Sequence, residues 1–201
     1  MLTPDRSEPS SPTLVKGTVV RGYLQALDKL GWRNEVLARA SRQTQSDVER
    51  LPLDSTWVSV TPIEELNVIV GALHGSEGVK RVAKESVNQA VIPVLRAIIE
   101  GFLRLFGATP ATLLSRMAQI TASTAKGVEY QWTSTGPSSG TLLIAYTGRK
   151  NVPIEQFIGT SGTIEVVFDL CRVRGRVSEP VPSPAHPGFG ATYAVRWGDA
   201  A

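Results

Sequence analysis

Hydrophobic positions recur along this chain with two different periods, and the change falls near residue 127. Before it the spacing is helical. In TLVKGTVVRGYLQALDKLG, Tyr23, Leu24, Leu27 and Leu30 keep one face, behind a β-branched, glycine-broken lead-in that predicts a short extended stretch. Gly31 should end that helix. NEVLARASRQTQSDVERL reads as a polar helix or helix pair. TPIEELNVIVGALHG carries the sharpest local signal. Thr61 and Glu64 stand as cap and third residue of a capping box, Pro62 fits the first turn, Ile63, Leu66, Val70 and Leu73 form a stripe, and Gly75 suits the C-terminus. A longer pattern follows, with Val79, Val82, Ala83, Val87 and Ala90 on one face before Pro93. Val94, Ile98, Phe102 and Phe106 make a seam beyond it. Proline removes a donor and clashes with the preceding turn, so a kink or break is expected near Ile92. TPATLLSRMAQI adds one helix, with Thr109 as cap and Pro110 at its first position.

After residue 127 the period drops to two. GVEYQWT alternates, with Val128, Tyr130 and Trp132 on one face. TLLIAYT is a continuous apolar run, and STGPSSG between them is turn chemistry, so the pair predicts a hairpin. A helix from Pro153 should bury Ile154, Phe157, Ile158, Ser161, Ile164, Phe168 and Cys171. VRGRVSE and ATYAVRW, joined by the connection PVPSPAHPGFG, predict a second hairpin. The fold class is α+β: a helical bundle, then a ββαββ unit whose sheet is mainly antiparallel. The expected organisation is a flexible Ser/Pro-rich tail over 1–13, a helical subdomain over 14–126, and a sheet subdomain over 127–201 packed on it as one structural domain.

Composition narrows the roles. The net charge of +3 divides as 15 Lys/Arg against 12 Asp/Glu in residues 1–126 and 6 against 6 in 127–201, too even for a nucleic-acid footprint. A single cysteine, Cys171, allows neither an internal disulfide nor a multi-cysteine metal site. The first residues lack the apolar core of a secretion signal, and no window approaches the ~18 apolar residues of a membrane helix, which points to the cytoplasm.

Candidate chemistry is sparse. Arg149 and Lys150 in TGRKNVP lie beside a helix N-terminus, where a partial positive charge gathers; they are a weak anion-site candidate, against the ordinary reading as a solvated turn. GTSGT (159–163) resembles a nucleophile elbow, but Thr163 occupies the place of the second glycine and the segment has helical spacing. Gly159, Ser161 and Gly162 should instead let this helix approach the sheet, or a bound molecule, closely. Arg174 and Arg176 share the solvent face of a strand with no aromatics interleaved for base stacking. His74, in a last helical turn, is explained by the helix dipole more simply than by metal or haem. No catalytic residue and no metal site is predicted. Phe102, Phe106, Trp132, Tyr146, Phe157 and Phe168 should meet between helices and sheet, as core or as the lining of an apolar pocket.

VKGTVVRGYLQAL, VIPVLRAIIEGFLRLFG, LLSRMAQI and the closing ATYAVRW together resemble DUF2378, an uncharacterised family expanded in myxobacteria. More distantly, helices followed by ββαββ resemble the fold shared by haem–nitric oxide sensors, vinyl-reductase-type ligand-binding domains and TRAPP-like vesicle-tethering subunits. That resemblance implies a ligand-binding or dimerising module. It does not bring a haem with it. The sensors' Tyr-x-Ser-x-Arg signature has only Tyr146 here, with Gly148 and Lys150 at the other two positions, and no histidine is suitably placed upstream in a long helix. The cysteine cluster of the vinyl-reductase type is absent as well. The expectation is a non-enzymatic regulatory module, a homodimer, binding a small apolar ligand or a partner protein. The alternatives are a pure protein–protein adaptor and an enzyme acting on a hydrophobic substrate.

Overall fold

The two hydrophobic periods become two layers, with one helix shared between them. The computed structural model describes residues 12–51, 53, 55–93, 99–101, 105, 109–185 and 188–198. In chain order the elements are β1 (Leu14–Lys16), α1 (Gly17–Leu30), α2 (Arg33–Arg39), α3 (Arg42–Glu49), β2 (Trp57–Ser59), α4 (Thr61–Ser86), a π-turn (Val87–Val91), α5 (Pro110–Leu114) and α6 (Met117–Thr121). Then come β3 (Ala125–Lys126), β4 (Val128–Gly136), β5 (Ser139–Thr147), α7 (Ile154–Cys171), β6 (Gly175–Val177), β7 (Val181–Ala185) and β8 (Gly188–Trp197). The class is α+β, with every strand pair antiparallel among the described residues.

The larger sheet runs β4-β5-β8-β6, and β7 also pairs with β8 along the β6 side. Both expected hairpin pairings form. PVPSPAHPGFG is not merely a connection, however: Val181–Ala185 builds β7 on the edge of β8, where prolines need not donate inward. A second, small sheet, β2-β1-β3, ties the start of the chain to the segment before β4 and was not legible as such. Of the expected tail, residues 1–11 lie outside the described residues; Thr13 is buried, and its carbonyl accepts from the Val60 N–H.

Several helix boundaries depart from expectation. Thr61 is not the cap of α4 but its first residue, with Val60 in the cap position. Ser59 Oγ accepts from the Thr61 N–H at 3.2 Å, and Glu64 turns away from the helix end altogether. Gly75, at φ 67°, breaks α4 where the stripe ends; a second helical run continues from it to Ser86. The kink expected before Pro93 takes the form of the π-turn, in which the Ile92 N–H donates to Val87 O, five residues back. TPATLLSRMAQI makes two short helices rather than one, the first capped by Thr109 as expected. Ile154 is exposed on the first turn of α7, not part of its buried face. The expected seam of Val94, Ile98, Phe102 and Phe106 lies outside the described residues.

α7 lies between the layers. On one side the kinked α4 packs against it, with Leu27, Val36, Leu66, Val70, Val79 and Val82 filling the helical cluster that Ile158 joins. On the other, Phe157, Ile164 and Phe168 meet Leu142, Ile144, Ala191 and Tyr193 of the sheet. The glycines of α7 serve the first contact. A Cβ on Gly162 would overlap the carbonyl of Lys80, and one on Gly159 would touch Val79 and Ala83. The small residues therefore admit helix α4, not the sheet.

Candidate functional site

Beside α7, at the end of the sheet nearer β3, the packing opens into a cavity of about 210 Å³. Its described walls come from six places, one of them α1 through Val19. Val128, Tyr130 and Tyr146 look in from the sheet; Leu113, Met117, Ile120 and Thr121 from α5 and α6; Val87, Ile92 and Ile99 from the segment around Pro93; and Thr13, Val15, Thr124 and Ala125 from the small sheet and its flanks. α7 supplies Gln156, Thr160, Thr163, Ile164, Val166, Val167 and Leu170, a set spaced by three and four residues along one side of the helix. No described lining residue is charged.

The polar groups in this wall have fixed directions. Thr121 Oγ1 donates to Met117 O (2.8 Å), Thr124 Oγ1 to Thr121 O (3.1 Å) and Thr160 Oγ1 to Gln156 O (3.0 Å). Each hydroxyl spends its only hydrogen on its own backbone, which leaves it an acceptor toward everything else. Burial pushes the pKa of both Tyr146 and Tyr130 up, and for Tyr146 the hydrogen bond from Gln156 Nε2 opposes this in part. Both phenols therefore stay protonated at neutral pH.

A buried chain of side chains reaches the cavity from the helical layer. Tyr23 OH donates to Asn67 Oδ1 (2.7 Å), Asn67 Nδ2 to Gln156 Oε1 (2.8 Å), and Gln156 Nε2 to Tyr146 OH (3.1 Å). It crosses from α1 through α4 and α7 to β5. A buried amide must satisfy both its ends, which is why two amides link two phenols here.

Of the expected pocket residues, Tyr146 alone lines this cavity among the described residues. Phe157 sits edge-on to Tyr146, with ring centroids 5.7 Å apart, and is wholly buried in the core. Phe168 covers Gly175 at the end of α7. Trp132 stands farther along the sheet beside Trp197, centroids 6.0 Å apart. Phe102 and Phe106 lie outside the described residues. Sequence reasoning missed Tyr130, Gln156, Thr160 and Thr163. The signal for the last three was present: uncharged polar residues at i, i+4 and i+7 in an otherwise apolar helix.

The basic junction divides. Arg149 makes a two-pronged ion pair with the buried Glu64 on α4, Nη1–Oε1 and Nη2–Oε2 both 3.0 Å, and Lys150 is exposed. The guanidinium thus answers a carboxylate of this chain, a partner 85 residues away. His74 stacks on Trp32, ring centroids 3.8 Å apart, with its Nε2 4.0 Å from Glu35, and is not among the described cavity-lining residues. No group of three or more metal-ligating side chains gathers among the described residues. No helix among them is long and apolar enough to cross a membrane. Ser161, the would-be nucleophile, is buried with its hydroxyl unpaired.

No protein-family model and no curated protein sequence matches the chain. Its fold does match solved structures. A doubly substituted Tt H-NOX domain is similar with a TM-score of 0.63 at 12% identity, over 92% of this chain and 95% of that one. An oxygen-binding H-NOX domain related to soluble guanylate cyclases, in its oxygen complex, gives 0.62 at 12%, over 92% and 95%. The Fe(II) unliganded H-NOX protein from K. algicida gives 0.59 at 12%, over 92% and 97%. At such identities the likeness is one of fold. The described lining does not suit a haem: it offers no imidazole or thiolate to the iron beyond the thioether of Met117 and the phenols, and no cation to a propionate.

Proposed function

We propose that the chain is a non-catalytic binding module whose cavity takes up a small apolar molecule for a regulatory purpose. The observation that carries this is the cavity itself, about 210 Å³ between helices and sheet with an uncharged, mostly apolar lining. An apolar cavity of ~150 Å³ is enough to bind benzene, so this one has room for a real ligand. The H-NOX-like fold supports a sensor role, though not its ligand. The described lining holds no carboxylate, imidazole, amine or thiol to move a proton at neutral pH, which supports binding over catalysis. The narrower kinship with DUF2378 rests on the segments quoted above.

The test is native mass spectrometry of the purified protein, followed by denaturing analysis of whatever is released. The expected result is a homodimer carrying a reproducible excess mass that leaves on denaturation. A clean mass, together with no thermal stabilisation by small aromatic probes, would overturn the ligand reading in favour of a pure adaptor.

A further inference from the structure

One hydroxyl in the cavity wall has nothing to bond. Among the described residues three buried side-chain atoms lack a hydrogen-bond partner, Thr13 Oγ1, His74 Nε2 and Ser161 Oγ, and only Thr13 belongs to the cavity lining. Thr13 is 2% exposed. Its backbone is held from two sides. Its carbonyl accepts from the Val60 N–H at 3.2 Å, continuing the β1–β2 ladder, and a Cβ on Gly127 would come within 3.3 Å of its Cα. Side chains alternate along extended chain, so Thr13 takes the same face as Val15, which also lines the cavity, while Leu14 takes the other. The other wall threonines differ in local structure. Thr121, Thr124 and Thr160 each reach a carbonyl three or four residues back in a helix or turn and give it their hydrogen. Extended chain offers Thr13 no such carbonyl, and valine would fill the same shape without the cost of a buried hydroxyl left unmet.

From this unspent hydroxyl we infer that the cavity selects small, otherwise apolar alcohols and phenols, with Thr13 as the residue that recognises their hydroxyl. This rests on the cavity being a binding site, as proposed above. A ligand hydroxyl accepts the Thr13 hydrogen and still has its own to give. The rest of the wall is suited to take it, because Thr121, Thr124 and Thr160 keep lone pairs but no free hydrogen. A hydrocarbon would leave Thr13 as it is. An ether can accept from Thr13 but has no hydrogen for the acceptors. A carboxylate would enter a wall with no described cation to meet its charge.

Three probes of one size test it: benzyl alcohol, its isomer anisole, and ethylbenzene, which carry a donor and an acceptor, an acceptor alone, and neither. Titrated against the full-length protein by NMR, benzyl alcohol should bind about fivefold more tightly than anisole, the worth of one net hydrogen bond. Thr13→Val should weaken benzyl alcohol by about the same factor and leave ethylbenzene unchanged. Because the Thr13 hydroxyl bonds nothing within the protein, this variant should fold as the wild type does. Thr13→Ser, which keeps the hydroxyl, should keep the preference for the alcohol. If ethylbenzene binds but benzyl alcohol is held no more tightly than anisole, or equally by wild type and Thr13→Val, the alcohol inference is overturned and the cavity reading stays in place. Binding of none of the three would sink both. Should Thr13→Val not fold, the comparison of the two isomers on the wild-type protein still decides.

Discussion

The two sides of α7 are built on opposite principles. Toward α4 it presents Gly159 and Gly162, and the backbones come so close that a single methyl on Gly162 has no space. Toward the cavity it presents Gln156, Thr160 and Thr163, and the neighbouring elements stand off. Close packing without voids is what gives a core its rigidity and stability. Leaving a void forfeits those contacts, so a void beside a closely packed seam is a cost that a ligand can offset. The seam holds the layers together while the open face keeps room. One helix does both because glycines and threonines occupy different faces of it.

The largest effect should come from closing nothing and opening the seam: Gly162→Ala should lower unfolding stability by about 3 kcal/mol in urea denaturation, since backbone, not a flexible side chain, must move. A loss below 1 kcal/mol would mean that the seam is looser than it looks. Arg149→Ala, at the rim of the same seam, should cost about 3 kcal/mol by stranding the buried Glu64; Glu64→Gln in that background should recover part of it. On the open face, Thr163→Val should change stability by no more than about 0.5 kcal/mol, because its hydroxyl reaches only Gly159 O of its own helix at 3.5 Å.

The layers should also part by pH. In the helical layer, Glu65 is held below its ordinary value although burial pushes it up, because bonds from Thr44 and Ser41 outweigh that. Glu85 is lowered first by its bond from Lys29 and then by Gln89. A depressed carboxylate contributes stability that is present above the unfolded value of 4.5 and lost as pH falls through the folded one. In the cavity wall, Tyr130 and Tyr146 are raised by burial. A raised phenol contributes stability present below the unfolded value of 10.0 and lost as pH climbs past it. Acid should therefore loosen the α3–α4 and α1–α4 contacts, and Glu65→Gln should flatten the acid limb of a stability–pH curve. Alkali should act on the cavity side, with Tyr23 of the helical layer adding to it.

Much of the architecture was legible because it is local. Alternation at Val128, Tyr130 and Trp132, turn residues before Thr141, and the caps at Thr109 and Gly31 each act within a few residues. β7 was missed because prolines argue against a strand and only the neighbouring β8 makes one there. Of the cavity, Tyr146 alone was legible. Searching for large aromatics selects the side chains that fill space, and Phe157 and Phe168 do so. A void is lined by what fails to fill it: threonines, valines and a glutamine whose role depends on a partner in another layer.

Local chain chemistry set the two periods, the antiparallel hairpins, the break at Gly75 and the disturbance ahead of Pro93, since dihedral preference and burial period are properties of short segments. Long-range packing placed Glu64 against Arg149 rather than at its helix end, turned the glycines of α7 toward α4, and linked Tyr23 to Tyr146 through Asn67 and Gln156. These are pairings between residues tens of positions apart. Which partners meet depends on how the faces of the layers are brought together, and no local pattern contains that.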